Sequence, residues 1–155
     1  MNAIAELIDP LASAAARAVQ AGQPYRGALT PPEAWEVLQS IPDAILIDIR
    51  TETELELIGR LPAAANVVNV EWKRYPGWEL NPGFLNAIRR KYGPDRILLL
   101  LCRSGIRSHE AALALAAAGY ENVYQVLEGF EGELNAAGQR TRNGWKSHGL
   151  PWTQA

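Results

Sequence analysis

The chain of 155 residues contains a single cysteine, and the residues after it bear directly on the chemistry of a thiol. Cys102 is followed by Arg103, Ser104, Gly105, Ile106, Arg107 and Ser108. The thiolate is the nucleophilic form of cysteine, and nearby cations and inward-facing N–H groups at the start of a helix favour it over the thiol. Arg103 and Arg107 supply two permanent cations, and Gly105 is free to take the positive φ that turns successive N–H groups to one side. Types and spacing together point to a thiolate nucleophile in an anion-binding loop. The alternative is an inert, packed cysteine, since free Cys is among the most buried residue types. Two arginines buried beside it without partners would be costly, and a loop of Arg, Ser, Gly and Arg is expected at a wet cleft. His109, one residue past the loop, reads as a helix-surface histidine rather than a general base.

The loop has to be held by what flanks it. Ile97–Leu101 is a run of branched apolar residues, the signature of a strand buried on both faces, and it ends at Cys102. Downstream, His109–Ala118 is rich in strong helix formers and closes at Gly119. A second buried strand, Ala44–Arg50, also ends in polar residues, which places Asp48 and Arg50 at a carboxyl edge. Ligands of open α/β sheets bind at that edge, so both residues are candidates for the crevice that holds Cys102. An internal Asp-Arg brace, extended by Glu54, is an equally good reading.

The remaining segments follow the same alternation. Thr30, Pro31 or Pro32, and Glu33 form a capping-box start for a helix to Gln39, with Trp35 and Leu38 inward. Glu52–Ile58 is a short helix stopped by Gly59, and Asn66–Val70 is a third strand. The loop Glu71–Trp78 is rich in aromatic surface; Trp72 and Trp78 either plug the core or roof a pocket, and the plug is the commoner use. Asn81 is placed to cap a helix with Pro82 at its first position and Phe84, Leu85 and Ile88 inward. Asn122–Leu127 is a last strand, and Glu128–Asn143 is a polar, Gly-rich excursion. Strands separated by helices require crossover connections, so the fold class is α/β, a mainly parallel sheet of about four to five strands with helices on both faces.

Ile4–Val19 reads as a helix with Ile4, Leu7, Ile8, Leu11 and Ala15 along one stripe and a kink at Pro10, followed by a linker, Ala21–Gly27. The chain thus divides into an N-terminal helix and linker, 1–27, and a domain over 28–155. The helix either packs on the domain or docks a second subunit. The net charge of -2 offers no basic field for nucleic acid, and no apolar run approaches the ~18 residues of a membrane helix. A small molecule or a protein is the expected partner. A lone thiol fits a reducing compartment, the cytoplasm, and Glu6 and Asp9 stand where a secretory leader would be positive.

Taken together, Asp48-Ile49-Arg50, Gly59-Arg60-Leu61-Pro62-Ala63-Ala64-Ala65-Asn66-Val67, Cys102–Ser108 and Gly119-Tyr120 resemble the single-domain rhodaneses, over about Leu29 to Trp152. The resemblance implies a rhodanese-like fold and sulfur transfer through a Cys102 persulfide. The donor would be thiosulfate or another persulfide, and the acceptor a thiol, cyanide or a protein. No cofactor and no metal are implied, and the chain would act as a monomer or a homodimer. It further implies that the N–H groups of Arg103, Ser104, Gly105, Ile106, Arg107 and Ser108 hold the anionic sulfur, with Arg103 and Arg107 on the donor's sulfonate oxygens. Arg50 and Asp48 would line the same site. Two departures stand out. Arg60–Ala64 replaces the family's usual His-Ile-Pro-Gly-Ala, and Ser104 stands where some thiosulfate-using relatives carry lysine, which leaves positioning of the donor to Arg107 or Arg50 and makes a persulfide an alternative donor. Rival readings are a rhodanese-like binding module and a cysteine-dependent phosphatase or arsenate reductase. The latter place an arginine six residues after the cysteine, where this chain has Ser108.

Overall fold

A computed structural model of the chain describes residues 3–154, those before Pro10 by their backbone alone. The elements are α1 (Ala3–Gln20), β1 (Gly27–Leu29), α2 (Pro31–Ser40), β2 (Ile45–Asp48), α3 (Glu52–Ile58), β3 (Val67–Asn69), β4 (Lys73–Arg74), β5 (Glu79–Leu80), α4 (Phe84–Lys91), β6 (Leu98–Leu101), α5 (Ile106–Ala117) and β7 (Val123–Val126). Five strands pair in parallel in the order β1-β7-β6-β2-β3, the α/β architecture expected from the sequence. The chain runs from β2 outward to β3 and later returns on the other side through β6 to β7. Neighbours β2 and β6 therefore flank the point where strand order reverses, and the crevice beyond their carboxyl ends is where this architecture places ligands.

Side chains of a strand alternate between faces, and the two apolar clusters follow that parity. Leu99, Leu101, Leu46, Tyr124 and Val126 pack with residues of α1 and α2, whereas Leu98, Leu100, Ile45, Ile47 and Val123 pack under α4 and α5. Cys102 shares the parity of Leu98 and Leu100 and joins the α4–α5 cluster.

Several boundaries differ from the sequence reading. β1 begins at Gly27, the last residue read as linker; its three residues, Gly-Ala-Leu, carry no β-branched side chain and owe their state to pairing with β7. α1 runs through Pro10 and packs on β1, with Ala14 and Ala18 buried and Arg17 bridging to Glu33 at 2.7 Å and to the Ala28 carbonyl at 2.8 Å. Of the stripe expected on that helix, Ile4, Leu7 and Ile8 lie outside the described side chains. α4 starts at Phe84 behind Gly83, because the Asn81 side chain accepts from the Gly83 N–H in a turn of its own (2.9 Å) instead of capping the helix. The aromatic loop folds back as the hairpin β4–β5. The excursion after β7 contains no helix, yet it buries Phe130 completely, and Trp145 just beyond it is as fully buried, edge-on to Trp35 at 5.9 Å.

Candidate active site

α5 begins at Ile106, three residues before the expected start, so Arg107 and Ser108 belong to its first turn and the loop proper is only Cys102–Gly105. Gly105 caps the helix at φ 100°, the left-handed conformation anticipated for it. This tight entry aims the helix N-terminus at the thiol. The Gly105 N–H donates to Cys102 Sγ at 3.1 Å and the Ser108 N–H at 3.3 Å, and Sγ lies 3.4 Å from Ser108 Oγ. First-turn N–H groups have no intrahelical acceptor, so an anionic sulfur satisfies donors that would otherwise be orphaned. The thiol is 1 % exposed, which departs from the expected wet cleft.

The arginines also depart from expectation, since each has a carboxylate partner. Arg107 binds Glu54 through two parallel hydrogen bonds of 2.8 and 2.7 Å. Glu54 also closes the capping box of α3, accepting from the Thr51 N–H at 3.0 Å, so one carboxylate ties the α3 start to the cysteine loop. Burial opposes ionisation of Glu54, but the hydrogen bonds from Arg107 and Thr51 and the guanidinium charge outweigh it and hold the carboxyl below its ordinary value. Arg107 is likewise opposed by burial and raised by Glu54, with smaller contributions from the negative charges of Cys102 and Asp48. Arg103 pairs with Glu131 at 2.6 Å. Arg50 and Asp48 form the internal brace, with bonds of 2.9 and 2.7 Å; Arg50 is 0 % exposed and stacks over Phe130 at 4.1 Å. Arg50 is thus enclosed in the brace, and Glu54 belongs to Arg107 rather than to it. Its Arg50 Nη1 is buried without a hydrogen-bond partner.

Three contributors escaped the sequence reading because only tertiary contact reveals them. Phe130 N–H donates to the Cys102 carbonyl at 2.8 Å, and the N–H groups of Glu131 and Gly132 donate to the Arg103 carbonyl at 3.0 and 3.1 Å. The Gly-rich excursion is therefore the rear wall of the cysteine loop. Gly129 makes this fit possible: at φ 73°, a Cβ there would lie 2.4 Å from the Arg103 carbonyl carbon and 2.5 Å from the Ser104 nitrogen. Gly129→Ala is expected to cost at least about 2 kcal/mol, by strain at positive φ and by pushing the loop away from its wall. Urea unfolding checks the cost, and Gly138→Ala, with nothing within 4 Å of the added carbon, is the control for positive φ alone.

Of the two tryptophans, Trp72 is a plug, edge-on to Phe84 at 4.9 Å. Trp78 is not: it is 38 % exposed and its ring covers the Arg107 guanidinium at 4.9 Å. His109 is half-buried and bonds to Tyr25 through Nδ1 at 2.9 Å, more engaged than a surface histidine. Among the described residues no group of His, Cys, Asp and Glu is arranged to hold a metal, and no helix is long and apolar enough to cross a membrane.

Fold and site together define a parallel α/β protein that presents one thiol to the N-terminus of a helix at its topological switch point. Residues 30–135 match the family described as the rhodanese-like domain, and the chain belongs to that family. An uncharacterized protein of Rickettsia conorii is 34% identical over 122 residues, 77% of this chain and 91% of the relative. The thiosulfate sulfurtransferase GlpE of Actinobacillus succinogenes is 29% identical over 127 residues, 82% of this chain and 90% of that protein. Among solved structures, Rv0390 of M. tuberculosis superposes with a TM-score of 0.76 at 40% identity, covering 84% of this chain and 99% of that one.

Proposed function

We propose that the protein is a sulfurtransferase that carries a sulfane sulfur on Cys102. The observation that carries this reading is the pair of backbone N–H groups, from Gly105 and Ser108, directed at Sγ. In the first half-reaction the Cys102 thiolate attacks the outer sulfur of thiosulfate; the new S–S bond forms as the old one breaks, and its electron pair leaves with sulfite. Enzyme thiolate plus thiosulfate dianion becomes enzyme persulfide anion plus sulfite dianion. In the second, cyanide attacks the terminal sulfur, thiocyanate departs and the thiolate returns; a thiol acceptor takes the same sulfur to become a persulfide.

The chain's residues act by holding charge. N–H donors fixed by the helix start stabilise the ionised sulfur before reaction and need no reorganisation during it. Arg103 and Arg107 hold the loop and the helix start through their carboxylates, while Arg50 is paired with Asp48 in the interior, so the donor's charge is met chiefly by peptide dipoles and by the outer faces of the two guanidinium groups already paired. Cys102, Arg103, Ser104, Gly105, Ile106, Arg107 and Ser108 form the site in this reading, and Asp48 and Arg50 support it. A relative named as a thiosulfate sulfurtransferase favours the same chemistry.

Purified protein given thiosulfate and cyanide is expected to produce thiocyanate with turnover, and to leave an aryl phosphate intact. Phosphate release instead of thiocyanate would move the chain to the phosphatase class, and inertness toward thiosulfate and alkyl persulfides alike would leave a binding module.

A further inference from the structure

Gln125 occupies an interior position of β7 and shares the parity of Val123, which packs under α5. A buried parallel strand ordinarily carries a branched aliphatic there, and burying a primary amide is costly unless its groups are hydrogen-bonded. Both ends of this amide are used, and the two partners of its NH2 group, Gly105 and Ser108, are the residues whose N–H groups donate to the thiol. Its Nε2 donates to the Gly105 carbonyl and, at 3.2 Å, to Ser108 Oγ, while its Oε1 accepts from the Tyr25 hydroxyl at 2.9 Å. The side chain is 5 % exposed.

The polarity of this chain of bonds is fixed. A carbonyl oxygen only accepts, so the group facing Gly105 must be the NH2 and the amide cannot be flipped. Tyr25 has one hydroxyl proton and gives it to Gln125, so His109 Nδ1, 2.9 Å away, must be the donor to Tyr25. At the other end, Ser108 Oγ accepts a hydrogen bond from Gln125 Nε2, which occupies one of its lone pairs and leaves its own proton to point elsewhere. When Cys102 is ionised, the acceptor 3.4 Å away is Sγ. Each donated bond polarises the next, so the serine hydroxyl is a better donor to sulfur than it would be alone. The same amide also fixes the peptide plane between Gly105 and Ile106, at the point where α5 begins.

We propose that Gln125 is a positioning residue for the Cys102 thiolate, setting the direction of Ser108's proton and the orientation of the loop, with Tyr25 and His109 holding Gln125 in turn. The consequence for turnover rests on Cys102 being the sulfur carrier; the hydrogen-bond polarity does not, and it is tested on the free enzyme. Because the chain has one cysteine, the ultraviolet absorbance of its thiolate, read against Cys102→Ser, follows that group without any reagent having to reach it. In Gln125→Leu the rise of thiolate absorbance moves to higher pH, equivalent to about a tenfold smaller thiolate fraction at a fixed pH on the rising limb, the effect of one hydrogen bond to a charged group. Gln125→Glu, close to isosteric, shows a larger loss, since a carboxylate facing Ser108 takes the hydroxyl proton for itself. Tyr25→Phe shows only about a twofold loss, because Gly105 still anchors the amide. Should Gln125→Leu not fold, Gln125→Glu and Tyr25→Phe carry the same test. An unmoved thiolate profile in folded Gln125→Leu or Gln125→Glu, accompanied only by a lower thermal midpoint, would overturn the proposal. If the profiles shift as expected but wild-type protein transfers no sulfur, the assigned reaction fails and the positioning role stands.

Discussion

Cys102→Ser is expected to abolish sulfur transfer, by more than about a thousandfold, and to leave the fold almost untouched. The loss is large because no other group among the described residues shares the nucleophile's position, and a serine hydroxyl neither ionises in this range nor forms a stable bond to sulfane sulfur. The fold survives because the substitution is nearly isosteric and the new Oγ still accepts from the Gly105 and Ser108 N–H groups that now point at Sγ. Stability within about 1 kcal/mol of wild type by urea unfolding, with no thiocyanate above background, is the expected pair of results. Residual turnover of more than a few per cent would show that sulfur passes without Cys102.

Arg107→Ala has the opposite profile and acts first on stability. The Arg107 and Glu54 side chains are 11% and 9% exposed, and truncating the arginine strands a buried carboxylate. Breaking a buried pair in this way costs about 3–5 kcal/mol, a large share of the stability of a domain this size. The loop should loosen with it, since Arg107 lies between Glu54 at the α3 cap and the Trp78 ring. Pairing Arg107→Met with Glu54→Gln removes both charges and is expected to recover much of the lost stability without restoring activity. The pH dependence has a definite sign. Glu54 is held below its ordinary value of 4.5, so its contribution is complete above that value and disappears as the pH falls through the lower, folded-state value. The gap between wild type and Arg107→Ala, measured by urea unfolding, should therefore be widest near neutrality and narrow on acidification below 4.5. A gap that stays constant down to strong acid would show that packing, not charge, accounts for the cost.

The fold was legible wherever periodicity and capping act locally. Leu98–Leu101 and, up to its terminal Asp48, Ile45–Asp48 are apolar on both faces because helices cover both, and Thr30–Glu33 displays its capping box in the sequence itself. β1 was hidden because its residues have no strand preference and depend on β7. Asn81 misled for a related reason: it has two ways to satisfy a nearby N–H, and the turn at Gly83 prevails. For the site, the position of Cys102 and the left-handed Gly105 could be read in advance, because strand ends and glycine geometry are local matters. What could not be read was the pairing of charges. Glu54 lies 53 positions from Arg107 and Glu131 lies 28 from Arg103, and nothing in the spacing distinguishes these partners from other acidic residues. Reading the arginines as free cations led to an expected wet cleft; with carboxylates supplied, the loop closes around the thiol instead. The one advance signal was the polar intrusion of Gln125 into a strand otherwise fit for the core.

The central claim is that Cys102 accepts and holds a sulfur atom, and mass is its most direct witness. Protein incubated with thiosulfate or an alkyl persulfide, freed of small molecules and weighed intact under non-reducing conditions, should gain one sulfur atom. Peptide mapping should place it on Cys102, and cyanide should remove it stoichiometrically as thiocyanate. Protein that stays at its original mass with every donor, or that gains sulfur equally as Cys102→Ser, would contradict the account.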